Sequence, residues 1–509
     1  MALAPFFQRA AVAASQVIAG FDPARFEAAV SARPVGLAID ARSCSRREGR
    51  VLADLAVRLL ARLYPAISLE IADPALRAEL HDLALSINPD LDIAADATIG
   101  IVVGIDTRRF DTPIFAGSDG WTARVGTTRS YAVGDSDNPF GPGVAACLAA
   151  ANLFRLVFLP ASKSADRHVA FSAFEGDLVR PGVRPPRLSQ VHLGEGTALV
   201  GLGAIGHAVA WALARAPVEG PIDLVDHETT DLGNLQRYVL ATVADVNRPK
   251  TMVLADALGS RLTTNQHPVP FATYVEQIGH QIRTAVVALD SAHDRRSVQA
   301  SLPSAILNAW TQPGDLGVSA HAPFGSAGAC LECLYLSDRP IANEDEIVAE
   351  ALGVSDQLRV VRELLHNGGP VPLDLLELIG SRLSIDPELT SAFADRPIRA
   401  LYVEGLCGGG LVPLGAVGTP RGEVHVPLAH QSALAGVLLA AALVRSRMHG
   451  DETMTQVTRV DVRAQLGSHL RQPVAASPAG CVCRDQDFTA RYRSKWAGSS
   501  TIGEAVLRC

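Results

Sequence analysis

Apolar residues fall along this chain in short continuous runs separated by longer stretches of helical periodicity. That is the pattern of an α/β protein with buried parallel strands. In the N-terminal part, Val35 to Ile39 is a short apolar run ending in Asp40, and Arg50 to Leu63 repeats at helical spacing. Thr98 to Gly104 reads as a buried strand, Tyr131 to Val133 as another, and Gly143 to Leu159 as a buried helix. Further on, the apolar strand Ala198 to Val200 and a second strand, Ile222 to Val225, have a helix between them, and Ala285 to Leu289 is another strand of the buried type. Ala433 to Val444 is the longest apolar candidate and predicts a buried helix, short of the ~18 residues that span a bilayer.

Breaks in the pattern set the domains. Pro181-Gly-Val-Arg-Pro-Pro-Arg187 is stiff and non-helical, so a boundary is expected there. Residues 1–185 then form an N-terminal α/β domain, residues 191–490 a second one, and residues 491–509 a polar tail. Residues 340–400 form an acidic helical insertion, with helices expected over Glu344 to Leu352, Val360 to Leu365 and Leu373 to Leu383. Asn138-Pro-Phe-Gly-Pro-Gly and its apolar helix parallel Val426-Pro-Leu-Ala-His-Gln-Ser and its apolar helix. The first domain therefore reads as a degenerate copy of the second.

Composition narrows the class. A chain of 509 residues with 48% hydrophobic and 19% charged residues is globular and forms two or three domains. A net charge of −8 argues against nucleic acid as the main partner. Met1 to Gly20 has no basic start and carries Arg9 in its middle, so no signal peptide, no membrane segment and a cytoplasmic location are expected. The eight cysteines are unevenly spaced, which suits a metal site and a reactive thiol better than a disulfide framework.

The chemistry lies in residues 197–250. The strand Ala198 to Val200 runs into Gly201-x-Gly203-x-x-Gly206 and a helix, the geometry that brings backbone close to a nucleotide phosphate. Asp226 ends the next strand about 20 residues on, where a carboxylate can bond ribose hydroxyls. A nicotinamide-dependent dehydrogenase would show the same pattern. Asn234, Arg237 and Lys250 then follow, and two cations over the strand ends suit a triphosphate better than hydride transfer.

With these residues in this order the chain resembles the ThiF-type adenylyltransferases. They include ubiquitin-activating enzymes and the sulfur-carrier activators of thiamine and molybdopterin synthesis. The resemblance covers about residues 191–490. It implies a Rossmann-like adenylation domain that uses ATP and Mg²⁺ to adenylate a protein C-terminus. By the family's motif, Asp290 in Asp290-Ser-Ala-His-Asp-Arg295 is the metal-binding catalytic aspartate, with Asp294 as the alternative register, and Arg295 is the motif's arginine. Cys330-x-x-Cys333 and Cys481-x-Cys483 fall where the family has a structural zinc knuckle, the second pair one residue shorter than usual. Three further departures are Tyr238 for glutamine, Ser291 for asparagine, and His207 where a small residue is common.

Cys407, in Glu404-Gly-Leu-Cys-Gly-Gly-Gly410, lies in the stretch where ubiquitin-activating members carry their thioester cysteine, and the glycines give an acyl group access. The chain most resembles a bacterial ubiquitin-activating enzyme, which implies a ubiquitin-like β-grasp protein and a conjugating enzyme as partners and an antiviral conjugation system as the expected context. The resemblance leaves monomer or homodimer open. The alternatives are a sulfur-carrier activator, a peptide-modifying adenylyltransferase, or a scaffold without activity. An arginine from the partner half or subunit reaches the ATP phosphates in this family. Arg42, Arg46, Arg47 and Arg50 are candidates.

Overall fold

A computed structural model describes residues 4–497 except 19, 94–95, 106–109, 160–164, 313–314, 337–343, 384, 386, 403–425, 451–453, 469 and 476–479. Cys407 and Cys509 lie outside the described residues.

The N-terminal half is built on a seven-stranded sheet in the order β2-β1-β3-β4-β5-β6-β7. Its strands are β1 (Val35–Ile39), β2 (Ile67–Ile71), β3 (Ile99–Val103), β4 (Thr112–Asp119), β5 (Thr122–Gly126), β6 (Val169–Ser172) and β7 (Asp177–Leu178). β1 is buried at every position, as its unbroken apolar run requires of a strand covered on both faces. Strands β2, β1, β3 and β4 run parallel, and β5, β6 and β7 continue antiparallel. Tyr131 and Val133 make only isolated bridges, to Gly104 and Ser118, so the strand expected there is absent.

The second half repeats the plan. Its strands are β8 (Val191–His192), β9 (Thr197–Val200), β10 (Val218–Val225), β11 (Leu262–His267), β12 (Thr284–Val287), β13 (Ala305–Gln312), β14 (Asp315–Ala320), β15 (Thr455–Val460) and β16 (Leu470–Val474). They form a nine-stranded sheet in the order β11-β10-β9-β12-β13-β14-β15-β16, with β8 beside β10. The strands from β11 to β13 are parallel, and β14 to β16 are antiparallel. In each half a long apolar helix enters between the first and second antiparallel strands: Phe140–Phe158 between β5 and β6, and Ala429–His449 between β14 and β15. Position for position the two sheets correspond, apart from the edge strand β11 and the short β8.

The halves pack into one unit through these helices. Phe140–Phe158 is long and apolar enough to cross a membrane, which the expectation for the chain had missed. Yet 94% of its apolar window is buried inside the protein, so its composition is that of a core helix. Gly436 lets the helix Ala429–His449 touch the helix Ala204–Arg215, because a Cβ there would meet the Ile205 carbonyl at 2.4 Å. Trp211 is fully buried, and at about 25 cal/mol per Å² its indole contributes several kcal/mol. Its Nε1 donates to Asp54 Oδ2 at 2.7 Å, and the Arg58 and Arg215 guanidinium groups meet the same carboxylate at 3.0 Å. Asp54 and Arg58 come from the N-terminal half, so a buried ion cluster pins the two halves together.

Residues 11–23 and 337–426 form a second unit. Helices Glu344–Ala351, Leu358–Asn367 and Leu373–Leu383 enclose a separate core of Val348, Leu352, Val361, Leu376 and Ile379. The helix Gln486–Trp496 crosses the boundary expected at residue 490 and is ordered to its end. Its Tyr492, Lys495 and Trp496 donate to the carbonyls of Ser304, Ser301 and Leu302.

Candidate functional site

The parallel strands β9, β10 and β12 end together. Val200 stands opposite both Val225 and Val287, so the Gly201 loop, Asp226 and the segment leading to Asp290 share the carboxyl edge of the sheet. Chain connections leave β9 in opposite directions here, the place where α/β sheets form crevices. Gly201 has φ +89, which favours glycine, and a Cβ there would meet the Ala288 carbonyl oxygen at 2.7 Å. A Cβ on Gly206 would strike the Gly201 carbonyl at 2.4 Å, which fixes how closely the helix follows the turn. Gly203 is the N-cap of the helix Ala204–Arg215 and brings no side-chain acceptor, so the first N–H groups of that helix remain for a ligand.

Asp226 braces the loop. Its Oδ2 accepts from the Leu202 amide at 2.8 Å and its Oδ1 from the Glu228 amide at 2.9 Å. A carboxylate has lone pairs to spare for ribose hydroxyls. Lys250 is 3% exposed at the start of the helix Lys250–Leu258. Its Nζ pairs with Glu228 and lies 4.0 Å from Asp226 Oδ2. Burial works against the ammonium, but Tyr238, Asp226 and Glu228 outweigh it and hold its pKa above the ordinary lysine value.

Asn234 closes the 3₁₀ turn Leu232–Gln236 by accepting the Asp231 amide at 3.0 Å. Arg237 follows, with a buried Nη1 that has no hydrogen-bond partner among the described residues. The Arg237 guanidinium and the Lys250 ammonium lie 5.6 and 5.4 Å from the Tyr238 ring centre, within cation–π range.

Arg9 of the N-terminal segment also lies beside this turn. Its side chain lies against Gly233, and burial followed by repulsion from Arg237 lowers its pKa to about 10, opposed by Tyr238 and Asp231. Three of the four arginines expected to reach the ATP phosphates are engaged elsewhere. Arg46 donates to the Val133 carbonyl, Arg47 pairs with Asp137, and Arg50 pairs with Glu79, all within their own half. Arg42 is exposed at its helix.

Asp290 is exposed beyond β12, and its carboxylate makes no hydrogen bond among the described residues. Asp294 is engaged: Ser291 Oγ donates to it at 2.6 Å and caps the helix Ala292–Ala300. Arg295 turns inward and clamps the loop, donating to the carbonyls of Leu289 and Asp290 and to Asn308 Oδ1 at 3.1 Å. It is therefore a brace for Asp290.

Cys330, Cys333, Cys481 and Cys483 converge, their sulfurs all within 4.8 Å of one another. The separations of 3.7, 3.4, 3.2 and 3.5 Å approach the edges of a tetrahedron with metal–sulfur bonds of about 2.3 Å. The donor set fits zinc, and the shortened second pair does not prevent closure. The cluster is tied to the Asp290 helix: Arg296 pairs with Glu332 at 3.0 Å, the Leu331 amide donates to Gln299 at 2.8 Å, and Tyr335 Oη accepts from Asn308 at 3.1 Å. Adding one equivalent of Zn²⁺ to the reduced apoprotein is expected to slow amide exchange over residues 288–300 by about tenfold or more. Exchange there that ignores zinc would show that the knuckle and the Asp290 loop are independent.

The glycine turn and Asp226 lie at the carboxyl edge of a mostly parallel sheet, with Lys250 beside Asp226, in a protein of Rossmann-like α/β class. The chain belongs to the ThiF family, whose model matches residues 186–445. A second model, prokaryotic E2 family C, matches residues 38–159. The chain is 40% identical to the uncharacterized protein y4jF of Sinorhizobium fredii over 98% of both chains. It is 35% identical to the sulfur carrier protein ThiS adenylyltransferase of Escherichia coli over 98 residues, 19% of this chain and 37% of that one. Among solved structures it is similar to E. coli MccB with MccA-N7isoASN, at 16% identity and a TM-score of 0.35 over 57% of this chain and 67% of that one.

Proposed function

We propose that this chain uses ATP to adenylate the C-terminal carboxylate of a small ubiquitin-like β-grasp protein, then takes the acyl group onto Cys407 and passes it to a conjugating enzyme. The observation that carries the reading is the convergence of the glycine turn, Asp226, Arg9, Arg237, Lys250 and Asp290 at one sheet edge. A carboxylate oxygen of the partner attacks the α-phosphorus and pyrophosphate leaves, giving a mixed anhydride. The Cys407 thiolate then attacks the acyl carbon, AMP leaves, and a thioester remains. Arg9, Arg237 and Lys250 neutralise the leaving pyrophosphate, and Gly201, Gly203 and Gly206 admit the phosphates. Asn234 holds the turn that carries Arg237, and Asp226 holds the ribose. Asp290 would hold Mg²⁺, which when bound neutralises phosphate oxygens.

The N-terminal half is a degenerate copy of the adenylation half in this reading. Where the active half turns on Gly201 after its first strand, the N-terminal half has Asp40 after β1, which accepts the Ser43 and Ile105 amides at 2.6 and 2.9 Å and places a carboxylate at the turn. The match to prokaryotic E2 family C supports a conjugation system. The two cysteines within that match, Cys44 and Cys147, are both buried, and burial pushes both thiols up, so neither serves as the carrier.

A non-reducing gel tests the reading. Enzyme, Mg-ATP and a candidate β-grasp protein should give an adduct that reductant removes and that Cys407→Ala does not form. AMP and pyrophosphate without an adduct would move the assignment to sulfur-carrier or peptide adenylation. The similarity to the ThiS adenylyltransferase favours that second reading.

A further inference from the structure

Two of the chain's departures from the family pattern, His207 and Tyr238, lie against each other. Their ring centres are 4.5 Å apart and tilted by 35°. Both are core residues, His207 fully buried and Tyr238 3% exposed. Neither nitrogen of His207 has a hydrogen-bond partner among the described residues. Burial, then Lys250, Arg62 and Arg58, hold its pKa well below the ordinary histidine value, so the ring is neutral among cations. Tyr238 therefore rests on an uncharged platform that rises from the residue after Gly206. Its ring faces both phosphate-site cations. Its hydroxyl points at the glycine turn, 3.5 Å from where a Cβ of Gly203 would stand, and makes no hydrogen bond among the described residues.

We propose that Tyr238 is a polyphosphate-binding residue whose hydroxyl donates to the β- or γ-phosphate of bound ATP, with His207 as the positioning residue that sets its ring. This rests on the ATP reading above. A glutamine would reach a phosphate through its amide but could not hold Arg237 and Lys250 on a π face. The phenol does both, and it needs a flat partner behind it, which a small residue at 207 would not supply. The two departures are thus one change made at two positions.

The experiment is calorimetric binding of Mg-ATP and of AMP to the full chain, for wild type, Tyr238→Phe, His207→Ala and the double variant. Tyr238→Phe keeps the ring and loses only the hydroxyl. It is expected to weaken Mg-ATP about tenfold, the size of one hydrogen bond to a charged acceptor, with AMP affinity and thermal midpoint unchanged. His207→Ala should weaken Mg-ATP in the wild-type background and add little once the hydroxyl is gone, which is coupling rather than additivity. Unchanged Mg-ATP affinity in Tyr238→Phe, or equal losses for AMP and ATP, would overturn the assignment of the hydroxyl. Additive losses would overturn the role of His207. If wild type itself bound no Mg-ATP, the ATP reading would fail first.

Discussion

Lys250→Ala is expected to lower ATP–pyrophosphate exchange by about 10²–10³-fold, the loss found when a preorganised charge is removed from a developing anion. The argument is electrostatic. Lys250 is buried, so little water screens it, and Tyr238, Asp226 and Glu228 keep it charged despite the burial. In the structure its ammonium pairs with Glu228, a carboxylate half-exposed at the rim. An incoming polyphosphate carries more charge than that carboxylate and competes for the same donor. The alanine variant also leaves Asp226 without a cation, but Asp226 keeps two backbone donors, so the glycine turn should hold. Lys250→Arg separates charge from geometry, because a planar fork cannot replace a point charge in a packed site. It should recover only part of the rate. Arg9→Ala, at a partly buried position on the same cluster, should cost less, about tenfold. Exchange rates near wild type in Lys250→Ala, with the protein folded, would remove the phosphate role from this residue.

Much of this site was legible in the sequence because parallel strands announce themselves. Ala198 to Val200 is apolar without interruption and Ile222 to Val225 is broken only by Asp223, and the residues that follow such runs lie at the carboxyl edge of the sheet. That logic reached Gly201, Asp226 and Asp290 without coordinates. Val35 to Ile39 coincides with β1, and Leu373 to Leu383 with its helix, for the same reason: local pattern and burial agree. What pattern could not reach was proximity between distant segments. Arg9 lies more than two hundred residues from Gly233, and nothing in its neighbours marks it as a partner of Arg237. The cluster at Arg42 to Arg50 looked better because four cations in a row are conspicuous. Arg46, Arg47 and Arg50 found a carbonyl and two carboxylates on their own half instead, and Arg42 is exposed. The parallel strands β2, β4, β11 and β13 were also missed, as were the antiparallel strands β5, β6, β7, β14, β15 and β16. The antiparallel ones are short, and only the neighbouring strands define them. The cysteines were legible because spacing alone specifies a chelate, and the structure brings together Cys330, Cys333, Cys481 and Cys483 across almost 150 residues.

Acid should destabilise this fold well above the range where carboxylates titrate. His430 is buried on the helix Ala429–His449 against Phe154, with ring centres 5.7 Å apart. Burial, then the nearby Arg155, lowers its pKa to about 3. His207 is likewise held well below the ordinary value. In the unfolded chain both titrate near 6.5. At pH 7.5 neither state binds the proton, so the two histidines do not affect stability there. Between about pH 6.5 and the depressed folded values, the unfolded chain takes up protons that the folded chain refuses, and stability falls as pH falls. Each group contributes about 1.4 kcal/mol per pH unit across that window; His321, buried and with its pKa lowered to about 4, acts with them, so the three give a slope of about 4 kcal/mol per unit. Asp54 acts lower down. Burial opposes its charge, but Arg58 and Arg215 outweigh it and lower its pKa, so its contribution is intact above the ordinary aspartate value and is lost only below it. Chemical denaturation at pH 7.5, 6.0 and 5.0 should show the steep loss begin between the first two. His430→Leu removes one titrating group and keeps the site apolar, so it should cut the acid slope by about a third. A midpoint that stays level from pH 7 to 5, or a slope unchanged in His430→Leu, would mean that water or a proton reaches these rings in the folded protein.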